Sequence, residues 1–344
     1  MKKSLIIAAT MIASSGVIGI PAASAAGAAD FYKGRSITML VGYGPGTGYD
    51  VYARALVRHF EKHIPGKPGI IVKNMPGASS LKMLNYLANV SKRDGSELGA
   101  PARGLFFEPL FGNKKAQFDP LAFTFIGSIG KATPLCFTWH TSGITSIEQA
   151  KARDVVVGAT GGPSNSNIYP RILNGVLGTK FKIIKGYKGS GAIGMAMERG
   201  EVQGYCSFGW ASIKSARSNW IKKKQINLLL QISLKPHPEL PNVPLVTSLV
   251  TKTEDRQALE LSFAQSEMAR PIAGPRDVPK DRAEALRAAF TATMKDPKFL
   301  SDAKKNAIEI DPISGAEIRA LIARVYATPK PIVARVMKMR PKMK

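Results

Sequence analysis

The sequence predicts an α/β protein built in two lobes, each a mostly parallel sheet flanked by helices. Three observations carry that reading. Short apolar runs alternate with segments of helical periodicity in two successive blocks. At 344 residues, the chain is longer than one ordinary core organises, even without an N-terminal leader. Finally, a glycine-rich loop in the first block and a hydroxyl- and amide-rich loop in the second stand where strand gives way to helix.

The N-terminus reads as a cleaved secretory signal over residues 1–25. Lys2 and Lys3 precede an apolar stretch from Leu5 to Ile20, and Ala23-Ser24-Ala25 supplies the small residues a signal peptidase requires. Ser14, Ser15, Gly16 and Gly19 interrupt that stretch, whereas a spanning helix needs roughly 20 predominantly apolar residues. No cysteine near the cut offers a lipid attachment point.

The first block then reads strand, helix, strand, helix, strand. Ser36–Tyr43 is apolar enough for a buried parallel strand, and Asp50–His63 places Tyr52, Ala55, Leu56 and Phe60 near one helical face. Gly69–Asn74 is a second strand, Leu81–Val90 a second helix and Glu97–Ala100 a third strand. In the second block Leu135–Trp139, Asp154–Ala159, Phe181–Ile184, Val202–Ser207 and Ile226–Ile232 read as strands. Thr145-Ser146-Ile147-Glu148 reads as a capping-box helix start. The run Pro236–Pro244 leads out of this block. Helices over Asp281–Met294, Phe299–Asn306 and Gly315–Tyr326, the last behind Ser314 and Glu317, are expected to complete the first lobe.

A hydrophobic content of 44% is enough to bury two cores, so disorder is not expected. The formal charge of +25 raises the question of nucleic acid. Export and the scatter of the basic residues argue against that partner. The densest groups, Lys222-Lys223-Lys224 and the acid-free tail Pro329–Lys344, read as solvated faces, or as a field that attracts anionic solutes and surfaces. The two cysteines, Cys136 and Cys206, fit a disulfide in an oxidising compartment or a pair of buried thiols.

Gly42-Tyr43-Gly44-Pro45-Gly46-Thr47-Gly48-Tyr49-Asp50 is the richest stretch. Glycines there permit close backbone approach, and a helix start aims N–H groups at an anion. Thr47 and Tyr49 stand where a dinucleotide fingerprint needs glycine, and no Gly-Lys-Ser/Thr end is present, so neither nucleotide motif is met. The plain alternative is a tight turn with Asp50 as helix cap. Gly161-Gly162-Pro163-Ser164-Asn165-Ser166-Asn167 is the second block's counterpart, offering neutral donors before a helix. Ligands of open α/β sheets lie beyond the carboxyl ends of strands. His59 and His63, spaced four apart, lack the glutamate of a metalloprotease helix and read as a wetted helix end; no metal site is expected. No acyl-transfer motif accompanies the histidines, and no cofactor is implied.

An ordered set of segments then resembles a known family. It comprises Gly44-Pro45-Gly46-Thr47-Gly48-Tyr49-Asp50-Val51-Tyr52-Ala53-Arg54, Asn74-Met75-Pro76-Gly77-Ala78 and Asp94-Gly95, then Tyr187-Lys188-Gly189 and Glu198-Arg199-Gly200-Glu201-Val202. Leu240-Pro241-Asn242-Val243-Pro244 and Met294-Lys295-Asp296-Pro297-Lys298-Phe299 complete it. The set, spread over nearly the whole exported chain, resembles the substrate-binding receptors of tripartite tricarboxylate transporters, the Bordetella-uptake-gene type of periplasmic protein. The resemblance implies a type II-like Venus-flytrap fold, lobe 1 from 30–132 plus 238–344 and lobe 2 from 133–237. It implies a monomeric, non-enzymatic periplasmic receptor that passes a small carboxylate to inner-membrane permease subunits. The alternative role is the ligand-binding component of a signalling system.

Carried onto this chain, the implied ligand contacts are Thr47, Gly48, Tyr49, Asp50, Asn74 and Ala78 on one side. Ser164, Asn165, Ser166, Tyr187 and Gly189 stand on the other. This chain departs from the family where Thr47 interrupts the glycines, where Tyr49 replaces a threonine, and at Ser79-Ser80, where glycines are usual. The added phenol points to a smaller or aromatic acid, or to a ligand whose amine pairs with Asp50.

Overall fold

The structure is a computed structural model describing residues 22–161 and 164–341. The expected signal segment therefore lies, up to residue 21, outside the described residues, as do Gly162 and Pro163 of the second loop. Helix α1 (Ala22–Tyr32) leads into β1 (Ser36–Val41), followed by α2 (Gly48–Phe60), β2 (Gly69–Asn74), α3 (Leu81–Asn89), β3 (Glu97–Ala100) and β4 (Thr124–Ser128). β1 carries Ile37, Met39 and Val41 fully buried and Leu40 nearly so, which is how a strand covered on both faces reads. It pairs in parallel with β2 and β3.

The chain then crosses to a second sheet. Its elements are β5 (Pro134–Trp139), α4 (Ile147–Ala152), β6 (Val155–Ala159), α5 (Asn165–Leu177), β7 (Phe181–Lys185), α6 (Ser190–Glu198), β8 (Gly204–Gly209), α7 (Trp210–Ala216), α8 (Ser218–Lys222) and β9 (Ile226–Gln231). The strand order is β7-β6-β8-β5-β9, parallel except for β5, which runs against β8 and β9. Cys136 and Cys206 are register partners on β5 and β8, both fully buried, with their sulfurs joined. The cap of α4 is Ser146, whose hydroxyl accepts the Gln149 N–H. The Thr145 N–H donates to the Gln149 side chain at 2.7 Å, so the helix start is fixed by Ser146 and Gln149 and not by the pair Thr145 and Glu148.

The return path contains α9 (Thr253–Phe263), β10 (Pro271–Gly274), α10 (Lys280–Lys295), α11 (Pro297–Lys305), β11 (Ile313–Ser314), α12 (Gly315–Tyr326) and α13 (Lys330–Met339). β10 and β11 join the first sheet, whose order is β11-β4-β10-β3-β1-β2. β10 runs antiparallel to both β3 and β4. The capping box of Ser314 and Glu317 starts α12 as the sequence predicts, and α11 begins two residues earlier than predicted because Asp296 caps it ahead of Pro297.

The basic tail is ordered by its apolar stripe. Ile332, Val333 and Val336 of α13 are buried in the same core as Ile172 and Leu173 of α5, while Arg335 pairs with Asp255 and Arg340 with Glu108. Helix α9 packs on α5 as well, where Phe263 meets Tyr169 edge-on at 4.9 Å between ring centroids. Among the described residues no helix is long and apolar enough to cross a membrane.

Candidate functional site

The loop from β1 to α2 is fixed by its own polar groups. The Thr47 hydroxyl donates to the Gly44 carbonyl at 2.8 Å. Asp50, 2% exposed, accepts from the Gly46 N–H at 2.9 Å, from Asn74 Nδ2 at 2.8 Å and from Arg54 Nε at 3.0 Å. Asn74 also donates to the Tyr43 carbonyl at 2.8 Å and accepts from Arg54 at 3.0 Å. Burial alone would raise the Asp50 carboxyl; the bonds from Arg54, Asn74 and Gly46 outweigh it and hold the group below the usual carboxylate range. Thr47, Asp50 and Asn74 thus bind each other's loops and do not line the cleft. An amine on a ligand finds no free carboxylate at Asp50.

Gly48 and Tyr49 do face the cleft. Tyr49 stacks on Tyr43 with centroids 4.9 Å apart, and its hydroxyl accepts the backbone N–H of Arg103 at 3.1 Å. The Arg270 guanidinium lies over Tyr49 and Tyr52, 4.6 and 4.7 Å from the ring centroids. Arg103 follows β3 and Arg270 precedes the antiparallel β10, so both reach the edge where β1 and β3 end. Arg54, Arg199, Arg335 and Arg340 each pair with a carboxylate, but Arg103 and Arg270 have no such partner among the described residues. The Nε of each is buried without a hydrogen bond.

Behind this edge the turn before α3 is strained. Ala78, Ser79 and Ser80 take φ of 46°, 54° and 79°, a left-handed run that is unfavourable for residues bearing a Cβ. Gly42 makes room for it, since a Cβ there would fall 1.7 Å from the Ser80 hydroxyl oxygen. The turn places Ala78 and Ser79 on the cleft wall.

The facing loop of the second sheet is neutral. The Ser164 hydroxyl donates to the Gly161 carbonyl at 2.7 Å and lies 2.9 Å from the Ser166 hydroxyl. Ser166 Oγ accepts the Thr160 N–H at 3.1 Å, and the residue is 3% exposed. Thr160, Ser164 and Asn165 line the cleft; Ser166, Tyr187 and Gly189 do not, Tyr187 packing instead against the apolar cluster of β5 and α6. Asn165 exchanges amide contacts with Gln265 at 3.4 Å, joining this loop to the end of α9.

The two loops border one cavity of about 1270 Å³, with Tyr205 and Phe208 of β8 on its far wall. Pockets for small molecules usually span roughly 300–1,000 Å³, so this is an open cleft, roomier than a fitted pocket. Burial pushes the Tyr205 phenol up to about 12, leaving a neutral hydroxyl at neutral pH. Away from it, His59 of α2 meets Asp302 of α11 at 3.2 Å, and His63, in the turn that follows α2, meets the α11 cap Asp296 at 3.0 Å. Among the described residues no three His, Cys, Asp or Glu side chains cluster to hold a metal.

No protein-family model matches the sequence, and no curated protein matches it. Solved structures do. A TctC solute-binding protein from Polaromonas, solved without ligand, superposes with a TM-score of 0.66 at 19% identity, over 89% of this chain and 99% of that one. An R. palustris protein with adipate gives 0.66 at 16%, over 88% and 97%. MatC from Rhodopseudomonas palustris with bound malate gives 0.62 at 15%, over 87% and 99%. The chain therefore has the two-lobed α/β fold of periplasmic solute-binding proteins.

Sequence reasoning did not single out Arg103 and Arg270. A signal for Arg103 exists: it follows a short predicted strand by three residues, in Pro101-Ala102-Arg103-Gly104, where open sheets place ligand contacts. Arg270 had none, because β10 is four residues long, begins with proline and ends with glycine.

Proposed function

We propose that this chain is a periplasmic solute-binding receptor of the tripartite tricarboxylate transporter type, which captures a small carboxylate between its lobes and hands it to the membrane permease. One observation carries the reading: Gly48 and Tyr49, at the first strand–helix junction, and Ser164 and Asn165, at the matching junction of the second sheet, line a single cleft. Support comes from the shared fold and from two proteins of that fold, one solved with adipate and one with malate. Lobe 1 is taken as 30–132 plus 238–344 and lobe 2 as 133–237, with export by the leader and action as a monomer. Binding, not turnover, is the role.

In this mechanism the acid docks at the N-terminus of α2, where N–H groups and the helix dipole favour an anion. The second lobe then closes and places neutral donors on its other side. Thermal-shift screening of the purified protein against mono-, di- and tricarboxylates is the test. A ligand at about 100 times its Kd should stabilise the fold by about 2.7 kcal/mol. Small-angle scattering should show compaction with the same ligand. An absence of any shift across the panel would end the receptor reading, and a shift without compaction would end the closure step.

A further inference from the structure

The N-terminal helix meets a carboxylate that no other group of the described chain engages. Helix α1 docks on the first lobe through Ala28 and Tyr32, both buried in one cluster with Leu286, Ala289 and Phe290 of α10. The Tyr32 hydroxyl donates to the Gly95 carbonyl at 3.1 Å. Gly66 passes so close to the helix that a Cβ there would fall 2.5 Å from the Ala29 carbonyl oxygen. At the start of this docked stretch Gly27 faces α10, and a Cβ added to it would lie 3.3 Å from Asp281 Oδ2. That bond tilts toward the N-terminus of a helix, so the carboxylate lies on the side from which the chain arrives.

Asp281 stands in the first turn of the 16-residue α10, where the helix favours its ionised form. It is half-buried and forms no hydrogen bond or ion pair among the described residues. Its charged neighbours are turned elsewhere. Lys280 meets Glu284 at 3.9 Å. The Arg282 guanidinium lies over the Phe31 ring, 3.6 Å from its centroid, and donates to the Asp94 carbonyl at 2.8 Å. A carboxylate that gives up part of its hydration without gaining a donor is costly.

The expected cut after Ala25 changes what stands opposite this group. It leaves Ala26 as the first residue, one position ahead of Gly27, and turns a neutral amide into an ammonium. Successive Cα atoms are about 3.8 Å apart, so the new charge starts within one residue of the contact with Asp281. The cut also removes the carbonyls of residues 22–25, the partners that a continuous helix gives to the amides of residues 26–29. The freed donors open toward the side where Asp281 stands.

We propose that removal of the leader completes the first lobe: the new α-ammonium of Ala26 pairs with Asp281 and clamps α1 onto α10, a contact that the uncut chain cannot make. The proposal rests on export with cleavage after Ala25 and adds what the cut does to the fold. The precursor then carries a loosely held N-terminal helix, and the processed chain a pinned one.

The test uses the chain beginning at Ala26, with its α-amino group free or acetylated, as wild type and as Asp281→Asn. In the wild type, acetylation should raise the unfolding constant in urea by about 2- to 5-fold, the worth of one partly exposed ion pair. It should also speed amide exchange over residues 28–33 and leave α12 unchanged. Both effects should vanish in Asp281→Asn. That substitution also takes a charge from the start of α10, and the double-mutant cycle separates this loss from the pair. An acetylation effect of equal size in wild type and Asp281→Asn would overturn the proposal, as would no effect in either. The intact mass of the exported chain should correspond to a start at Ala26. A different first residue would take down the cleavage reading and the pair with it, whereas a start at Ala26 without coupling would overturn the pair alone.

Discussion

The two loops that border the cleft answer the same geometric demand with different chemistry. The first is built from charge and aromatic rings: Asp50, Arg54 and Asn74 lock its back, and Tyr43, Tyr49 and Arg270 form its front. The second is built from hydroxyls that bond to one another and to the Gly161 and Thr160 backbone. The second loop is neutral, and the cation that its sheet brings to the cleft wall is Lys185 at the end of β7.

The sheets behind the loops differ too, and the largest expected effect concerns them. The second sheet carries the Cys136–Cys206 link, which spans 70 residues of sequence. Replacing both cysteines by alanine should cost about 4 kcal/mol by the chain-entropy relation, read as a fall in the urea midpoint. A midpoint unmoved by the double substitution or by dithiothreitol would show that the second lobe is held by packing alone.

A smaller effect belongs to the back of the first loop. Asp50→Asn turns an NH2 donor toward the donors of Gly46, Asn74 and Arg54, and should cost roughly 1–3 kcal/mol. The carboxyls of Asp50 and Asp296 are both held below their ordinary range, the first against burial by Arg54, Asn74 and Gly46, the second by Lys62 and His63. Their contribution is thus fully present above the unfolded value of about 3.9 and is lost as pH falls through the folded values. The urea midpoint should hold from neutrality to about pH 5 and drop below about pH 4. Asp50→Asn should flatten part of that drop; an unchanged acid limb would remove Asp50 from the account.

The smallest effect separates two serines of the second loop. Ser164→Ala should weaken acid binding by roughly 3- to 10-fold, the worth of one neutral hydrogen bond. Ser166→Ala should lower stability and leave affinity nearly unchanged, because its hydroxyl is committed to Thr160. Equal losses of affinity in both variants would mean that Ser166 reaches the ligand after closure.

Much of this arrangement was legible in the residues. Long buried strands such as β1 and β6 declare themselves by composition, and Ser314 with Glu317 marks a helix start on local chemistry alone. The Gly44–Asp50 loop was found because glycines and a helix start are local signals. What stayed hidden depends on partners distant in sequence. Asp50 reads as a ligand group until Asn74 and Arg54 are placed around it. β4, β10 and β11 are short and take their identity from neighbours supplied by the fold. The tail from Pro329 reads as solvated because its charges outnumber the three buried residues, Ile332, Val333 and Val336, that anchor it.

The position of β10 also sets an order of assembly. It lies inside the first sheet, between β3 and β4, yet it is made after every strand of the second. A chain made N-terminus first cannot join β3 to β4 in its first sheet until residue 274 has emerged. The second sheet is contiguous from 134 to 231 and has its full set of strands earlier. Folding should therefore begin in the middle of the chain, with the N-terminal strands waiting as an open edge for a late insertion. The same late strand is preceded by Arg270, so the cleft gains this cation only when β10 fills the gap between β3 and β4.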